Sequence, residues 1–194
     1  MQLMIYLEYK YLLSMPILNE SLRFEMLPID VRSAFTGFRA TKVLLPWGTS
    51  LFRFSGHSRI SPWWSETNQL SILLLTAKAR NHSLFEYARN TTAIKRLWDF
   101  GLFNLIIVRL KQPVYAFSGF IAPQNEAAQY KNSQDFINYK KKFTKPVFFS
   151  GGNGQVYIKD LEPRHVDFIV PAGAVNIYDD VTEIMDFLIS YRII

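Results

Sequence analysis

Six short apolar segments crowd the second half of the chain: "NLIIVRL" (104–110), "VYAFSGFIA" (114–122), "PVFFSG" (146–151), "QVYIKD" (155–160), "VDFIVP" (166–171) and "AVNIYD" (174–179). Each has strand length and a β-branched or aromatic bias. Helices precede them and the strands need not alternate with helices, an order that argues mainly antiparallel sheets and not a doubly wound parallel one. Two more short strands, "KVLLP" and "SLFRFSG", flank a tight connection at Trp47 and Gly48. Helical spacing marks "QLMIYLEYKYLL", "NESLRFEML" and "PIDVRSAFTGF" in the first forty residues, then "ETNQLSILLLTAKA", "SLFEYARNTTAIKRLWDF" and the terminal "DVTEIMDFLISYRII". The reading is α+β, with N-terminal and central helices packed on mainly antiparallel strands. Residues 1–40 form a helical N-terminal segment and residues 41–194 a single α+β domain.

With 49% hydrophobic and 20% charged residues the chain can bury a core and is not of disordered type. It has no cysteine, which removes disulfides, a thiol nucleophile and cysteine-based metal sites. His57, His82 and His165 share no ligand spacing, so no metal is expected. Phosphate-binding Gly-Lys loops, dinucleotide fingerprints, His-Glu-x-x-His and Gly-x-Ser-x-Gly are all missing. The net charge of +6 is uneven: from Asp160 onward seven acidic residues face Arg164 and Arg192, giving −5 and leaving +11 on the rest. Such a body attracts nucleic acid, anionic membrane or a phosphate-bearing small molecule, or serves as a solubilising surface.

The apolar N-terminus is interrupted by Glu8 and Lys10 and lacks a basic lead-in and a small-residue cleavage site. The apolar stretch around 102–122 carries Arg109, Lys111 and Pro113. Neither reads as a membrane span or a cleavable signal. The expected location is the cytoplasm, or a target cell reached without a cleavable signal.

Candidate site residues come from four places. In "SLFRFSG", strand alternation puts Phe52 and Phe54 on one face and Leu51, Arg53 and Ser55 on the other, so Arg53 needs an anionic partner, a phosphate or a carboxylate. "SRISPWWSE" places Trp63 and Trp64 in a loop after a proline, either as a plug between layers or as a platform for an aromatic ring. Ser118 and Gly119 interrupt an apolar strand, which marks a bulge or the close approach of a ligand. "GGNG" (151–154) precedes Gln155. It is either a hairpin loop or a mobile turn whose backbone N–H groups cup an anion.

Taken in order, Arg53 in "LFRF", Ser118 in "FSG", Gln155 after "GGNG", and the late "IVPAG" turn resemble a mono-ADP-ribosyltransferase toxin or effector domain across residues 41 to 180. The resemblance implies an ADP-ribosyltransferase-like fold with NAD as substrate, consumed by transfer or by glycohydrolysis. An acceptor macromolecule and a cognate inhibitor protein would be the partners. It assigns Arg53 to the pyrophosphate, Ser118 to holding the site, and Gln155 to a ribose hydroxyl. Trp63, Trp64 or Tyr157 would stack on nicotinamide, and Gly152 would approach the ligand through its backbone. Tyr157 stands where the family's glutamate falls. Either Glu126 or Glu162 supplies the carboxylate, or the chain is a variant or inactive member, and Gln155→Glu would restore the charge.

Two non-enzymatic readings compete. "NYKKKFTK" interleaves Lys140, Lys141, Lys142 and Lys145 with Tyr139 and Phe143, the composition of a nucleic-acid-binding module. The acidic C-terminal helix could instead be the contact face of a protein-interaction module of immunity or adaptor type.

Overall fold

The computed structural model describes residues 17–56, 60–94, 104–125 and 148–194. The expected first helix over 2–13, the end of the central helix after Ile94, His57, Glu126 and the lysine-rich stretch all lie outside them. The described helices are α1 (Ile29–Ser33), α2 (Thr67–Ala79), α3 (Leu84–Thr92) and α4 (Val181–Ser190). The strands are β1 (Thr41–Leu45), β2 (Ser50–Ser55), β3 (Trp63–Glu66), β4 (Asn104–Leu110), β5 (Val114–Phe120), β6 (Gln124–Asn125), β7 (Phe148–Phe149), β8 (Gly154–Tyr157) and β9 (Val166–Val170). Within 17–40 the helical content is α1 and two 3-10 turns, Phe24–Met26 and Thr36–Phe38, less than the spacing suggested.

Seven strands form one sheet in the order β1-β5-β8-β3-β2-β4-β9, with every strand pair antiparallel. β1 and β2 are close in sequence yet four places apart in the sheet, so Trp47 and Gly48 turn the chain without making a hairpin. "PWWSE" is a strand and not a loop, because both of its neighbours offer ladder partners. "AVNIYD" joins the sheet only through an isolated bridge between Asn104 and Asn176.

β3 is the seam. Its last two residues pair with β2 (Leu51 with Glu66, Phe52 with Ser65), and its first two pair with β8 (Trp63 with Tyr157, Trp64 with Val156). From Arg53 to Ser55, β2 continues on β4 alone. From Gln155 back to Gly154, β8 continues on β5 alone. The sheet therefore opens at both ends of β3, and the Ser65 hydroxyl bridges one opening by donating to the Gly154 carbonyl at 2.7 Å.

The faces are covered according to periodicity. On α2, Leu70, Leu73, Leu74 and Ala77 form the buried stripe. They pack with Leu84 and Ala88 of α3, Ile184 and Leu188 of α4, and Phe52 and Phe54 of β2. The opposite face joins Leu51, Trp64, Ile106, Val108, Ala116 and Val156. Leu27 and Phe35 of the N-terminal turns pack on Phe117 and Tyr157, so this stretch shares a core with the sheet.

The glycine turn is neither a hairpin nor an anion cup. β7 pairs with β6, not with β8. The N–H groups of Gly151 and Asn153 donate to the carbonyls of Asn90 and Thr91 at 3.0 and 3.3 Å, and that of Gly152 to Ile121 at 2.9 Å. The turn thus satisfies the last carbonyls of α3, which have no partner inside the helix. Gly151 has φ +63, and a Cβ there would lie 2.6 Å from the Ile121 carbonyl oxygen; Gly152 has φ +86 with open space around it. Gly151→Ala is expected to cost about 3 kcal/mol and Gly152→Ala about 1 kcal/mol, read from urea unfolding. Equal costs would show that the close approach to Ile121 is unimportant.

A second joint fixes the β4–β5 connection. His165, in the 3-10 turn Pro163–His165, accepts the Lys111 N–H on its carbonyl at 2.9 Å, and its Nδ1 accepts the Glu162 N–H at 3.0 Å. A neutral imidazole has one lone pair, so Nε2 carries the proton. The Arg164 Nε lying 3.2 Å from it instead serves Glu162 Oε2 at 2.9 Å. Burial, and then the Arg164 charge, hold the imidazole below its ordinary value of 6.5 against a weaker pull from Glu162. The folded state therefore favours neutral His165. Its stabilising effect is full above 6.5 and is lost as pH falls below it toward the folded value. The urea midpoint of the native protein should drop between about pH 7.5 and about pH 5, and His165→Asn should flatten that drop. An equally steep drop in the variant would clear His165 of the role.

Candidate active site

A cavity of about 590 Å³ lies in the opening between β2 and β3. That size suits a small-molecule or cofactor site. Arg53 and Ser55 come from β2, Trp63, Trp64 and Ser65 from β3, Gln155 from β8, and Asp30 and Ala34 from α1 and its end. The seam explains the mixture: residues from both halves of the sheet reach one space because β2 leaves β3 after Phe52.

Arg53 stands on the Leu51 face, as alternation requires. It is half-buried, donates from Nη2 to Ser55 Oγ at 3.2 Å, and places its guanidinium carbon 5.8 Å from the centre of the Trp64 ring. The contact with Trp64 and the hydroxyl limit the rotamers available to it, so the charge is held at the cavity wall. Trp64 is buried and donates its indole N–H to the Ser61 carbonyl at 2.6 Å, which makes it wall and not mobile platform. Trp63 is half-buried, packed edge-on against Tyr157 at 4.8 Å and tilted against Phe35 at 5.6 Å.

Gln155 is buried, 9% exposed, and donates from Nε2 to the Ala34 carbonyl at 3.0 Å. Its amide therefore ties β8 to the end of α1 while lining the cavity. Three other candidates stand apart. Ser118 pairs with Val156 and does not line the Arg53 cavity; it lines a second depression of about 620 Å³ with Arg39, Glu66 and Gln69, which Gln155 also borders. Gly152 has its N–H committed to Ile121 and does not line the Arg53 cavity. Tyr157 sits in the core with Phe35 and Phe117; burial, then the charges of Asp160 and Asp30, raise its phenol above the ordinary value and keep it neutral. Gln155 thus borders both depressions, Arg53 the first and Ser118 the second.

Glu162 is engaged with Arg164 and the His165 turn and lies outside the cavity lining. The residue that sequence reasoning missed is Asp30. Acidic residues in a first helical turn are ordinary, so it carried no signal. Among the described residues no cluster could hold a metal ion, and no helix is long and apolar enough to cross a membrane.

No protein-family model and no curated protein matches the chain. Two solved structures resemble it in part. Tne2, solved in complex with Tni2, aligns at 15% identity over 71% of this chain and 92% of its own, with a TM-score of 0.38. Rhs1-CT, solved in complex with its cognate immunity protein RhsI1, aligns at 14% identity over 68% of this chain and 79% of its own, with a TM-score of 0.43.

Proposed function

We propose that the cavity binds NAD and that the chain cleaves its nicotinamide–ribose bond, as a glycohydrolase or ADP-ribosyltransferase of toxin or effector type. The observation that carries this reading is that Arg53 and Gln155, on strands either side of β3, line one cavity of about 590 Å³. A guanidinium matches a pyrophosphate in charge and fork geometry. The carboxamide of Gln155 is held by Ala34 and presents a second polar group to a ribose hydroxyl. Trp63 and Trp64 supply aromatic wall. Ser118, Gly152 and Tyr157 have no direct part in this version, and the toxin or effector assignment rests on the sequence resemblance alone.

Binding and positioning then carry most of the rate, since no strong nucleophile is among the described residues that line the cavity. Calorimetric titration with NAD, together with nicotinamide release, tests the reading. Arg53→Ala is expected to weaken NAD binding by about 10- to 100-fold, the worth of a charged hydrogen-bonded contact. Unchanged binding in that variant, or no NAD binding by the native chain, would sink the proposal. Salt-sensitive binding of single-stranded DNA with no NAD binding would move the chain to the basic-module class.

The geometry also changes the expectation for position 155. Gln155→Glu replaces the donor facing the Ala34 carbonyl with an acceptor, so the bond is lost and two oxygens confront each other. The variant should be less stable by about 1 to 3 kcal/mol in urea unfolding and should not gain turnover. A stable and faster variant would mean that the Ala34 bond is dispensable.

A further inference from the structure

Cleavage of the nicotinamide–ribose bond leaves positive charge on the ribose, and a neutral carboxamide does little to stabilise it. Among the described residues lining the cavity, Asp30 is the one carboxylic acid. It stands in the first turn of α1, exposed, and lines the same cavity as Ala34 and Arg53. The helix that bears it is anchored closely. Its end accepts from Gln155 Nε2 at 3.0 Å and from the Ala122 N–H at 2.8 Å through the Ala34 carbonyl, and the next residue, Phe35, is fully buried. The charge of Asp30 also reaches Tyr157, two residues along β8 from Gln155, where it contributes, after burial and Asp160, to raising the phenol.

We propose that Asp30 is the catalytic carboxylate of this cavity, an inference that rests on the NAD-cleaving reading above. The C1′–N bond breaks and its electron pair leaves on nicotinamide, which departs neutral. The positive charge spreads over C1′ and the ring oxygen of the ribose, opposite the carboxylate of Asp30. Water, or the hydroxyl or amine of an acceptor, forms the new bond at C1′ and gives up its proton to that carboxylate. Gln155 then acts as a positioning residue as well as a ligand contact, because its bond to Ala34 sets where α1 holds Asp30.

Nicotinamide release and calorimetric NAD binding, measured on the full chain for the native protein, Asp30→Asn, Asp30→Glu and Glu126→Gln, test this. Asp30→Asn is expected to lower turnover by about 100-fold or more with NAD binding changed by less than about threefold, and Asp30→Glu to recover part of the loss. Because Asp30 is exposed, both variants should melt at the native temperature. Native-like turnover in Asp30→Asn, a loss that falls on binding and not on turnover, or a large loss in Glu126→Gln in its place, would overturn the role of Asp30 while leaving the NAD reading intact. A native chain that neither binds nor cleaves NAD would remove both.

Discussion

Four residues of β3 must serve two neighbours. The strand begins directly after Pro62 and is followed at once by α2 at Thr67, so it cannot lengthen in either direction. Its ladder is divided, two pairs to β2 and two to β8. A sheet with full pairing at this point would bring β2 and β8 alongside β3 over their whole lengths and close the space that Arg53, Ser55 and Gln155 line. The opening is thus a consequence of strand length, and the side chains around it compensate for missing ladder bonds. Ser65 donates to the Gly154 carbonyl and Trp64 to the Ser61 carbonyl. Buried backbone groups next to a split need such partners.

The same seam sets the roles of the two tryptophans. Adjacent strand residues point to opposite faces. Trp64 enters the core with Leu51 and Ile106, and Trp63 wedges toward Phe35 and Tyr157. Between them they hold the two halves of the sheet at a fixed separation, which a small side chain at either position could not do. The cavity wall is therefore rigid aromatic surface, with the polar groups at its margins.

The glycine-rich turn shows how one chemical requirement answers two different demands. Positive φ and the absence of a Cβ are what a backbone needs to approach a ligand closely. They are also what it needs to approach the end of a helix. In this chain the partner is α3, whose final carbonyls take the N–H groups of Gly151 and Asn153. The turn acts on the site at one remove, by fixing the start of β8 and hence the depth at which Gln155 enters the cavity.

Local pattern determined much of this protein. Alternation in "SLFRFSG" placed Phe52 and Phe54 in the helix-side core and Arg53 opposite them, and the leucine spacing of α2 marked its buried stripe. The run of strands that do not alternate with helices pointed to a mainly antiparallel sheet. These are properties of neighbours in the chain, and the periods of strand and helix express them directly. Strand order, the split at β3, and the choice of which polar residues share a cavity belong to tertiary structure. Arg53 and Ser118 look like members of one site in sequence, yet they line different depressions, with Gln155 bordering both. Asp30 looks like an ordinary helix-start residue, yet the packing of α1 against β8 brings it to the same wall as Gln155. The physical reason is that long-range register and helix docking are decided by which apolar faces can be buried together. A one-residue change of register reverses every side chain, and no local pattern carries that information.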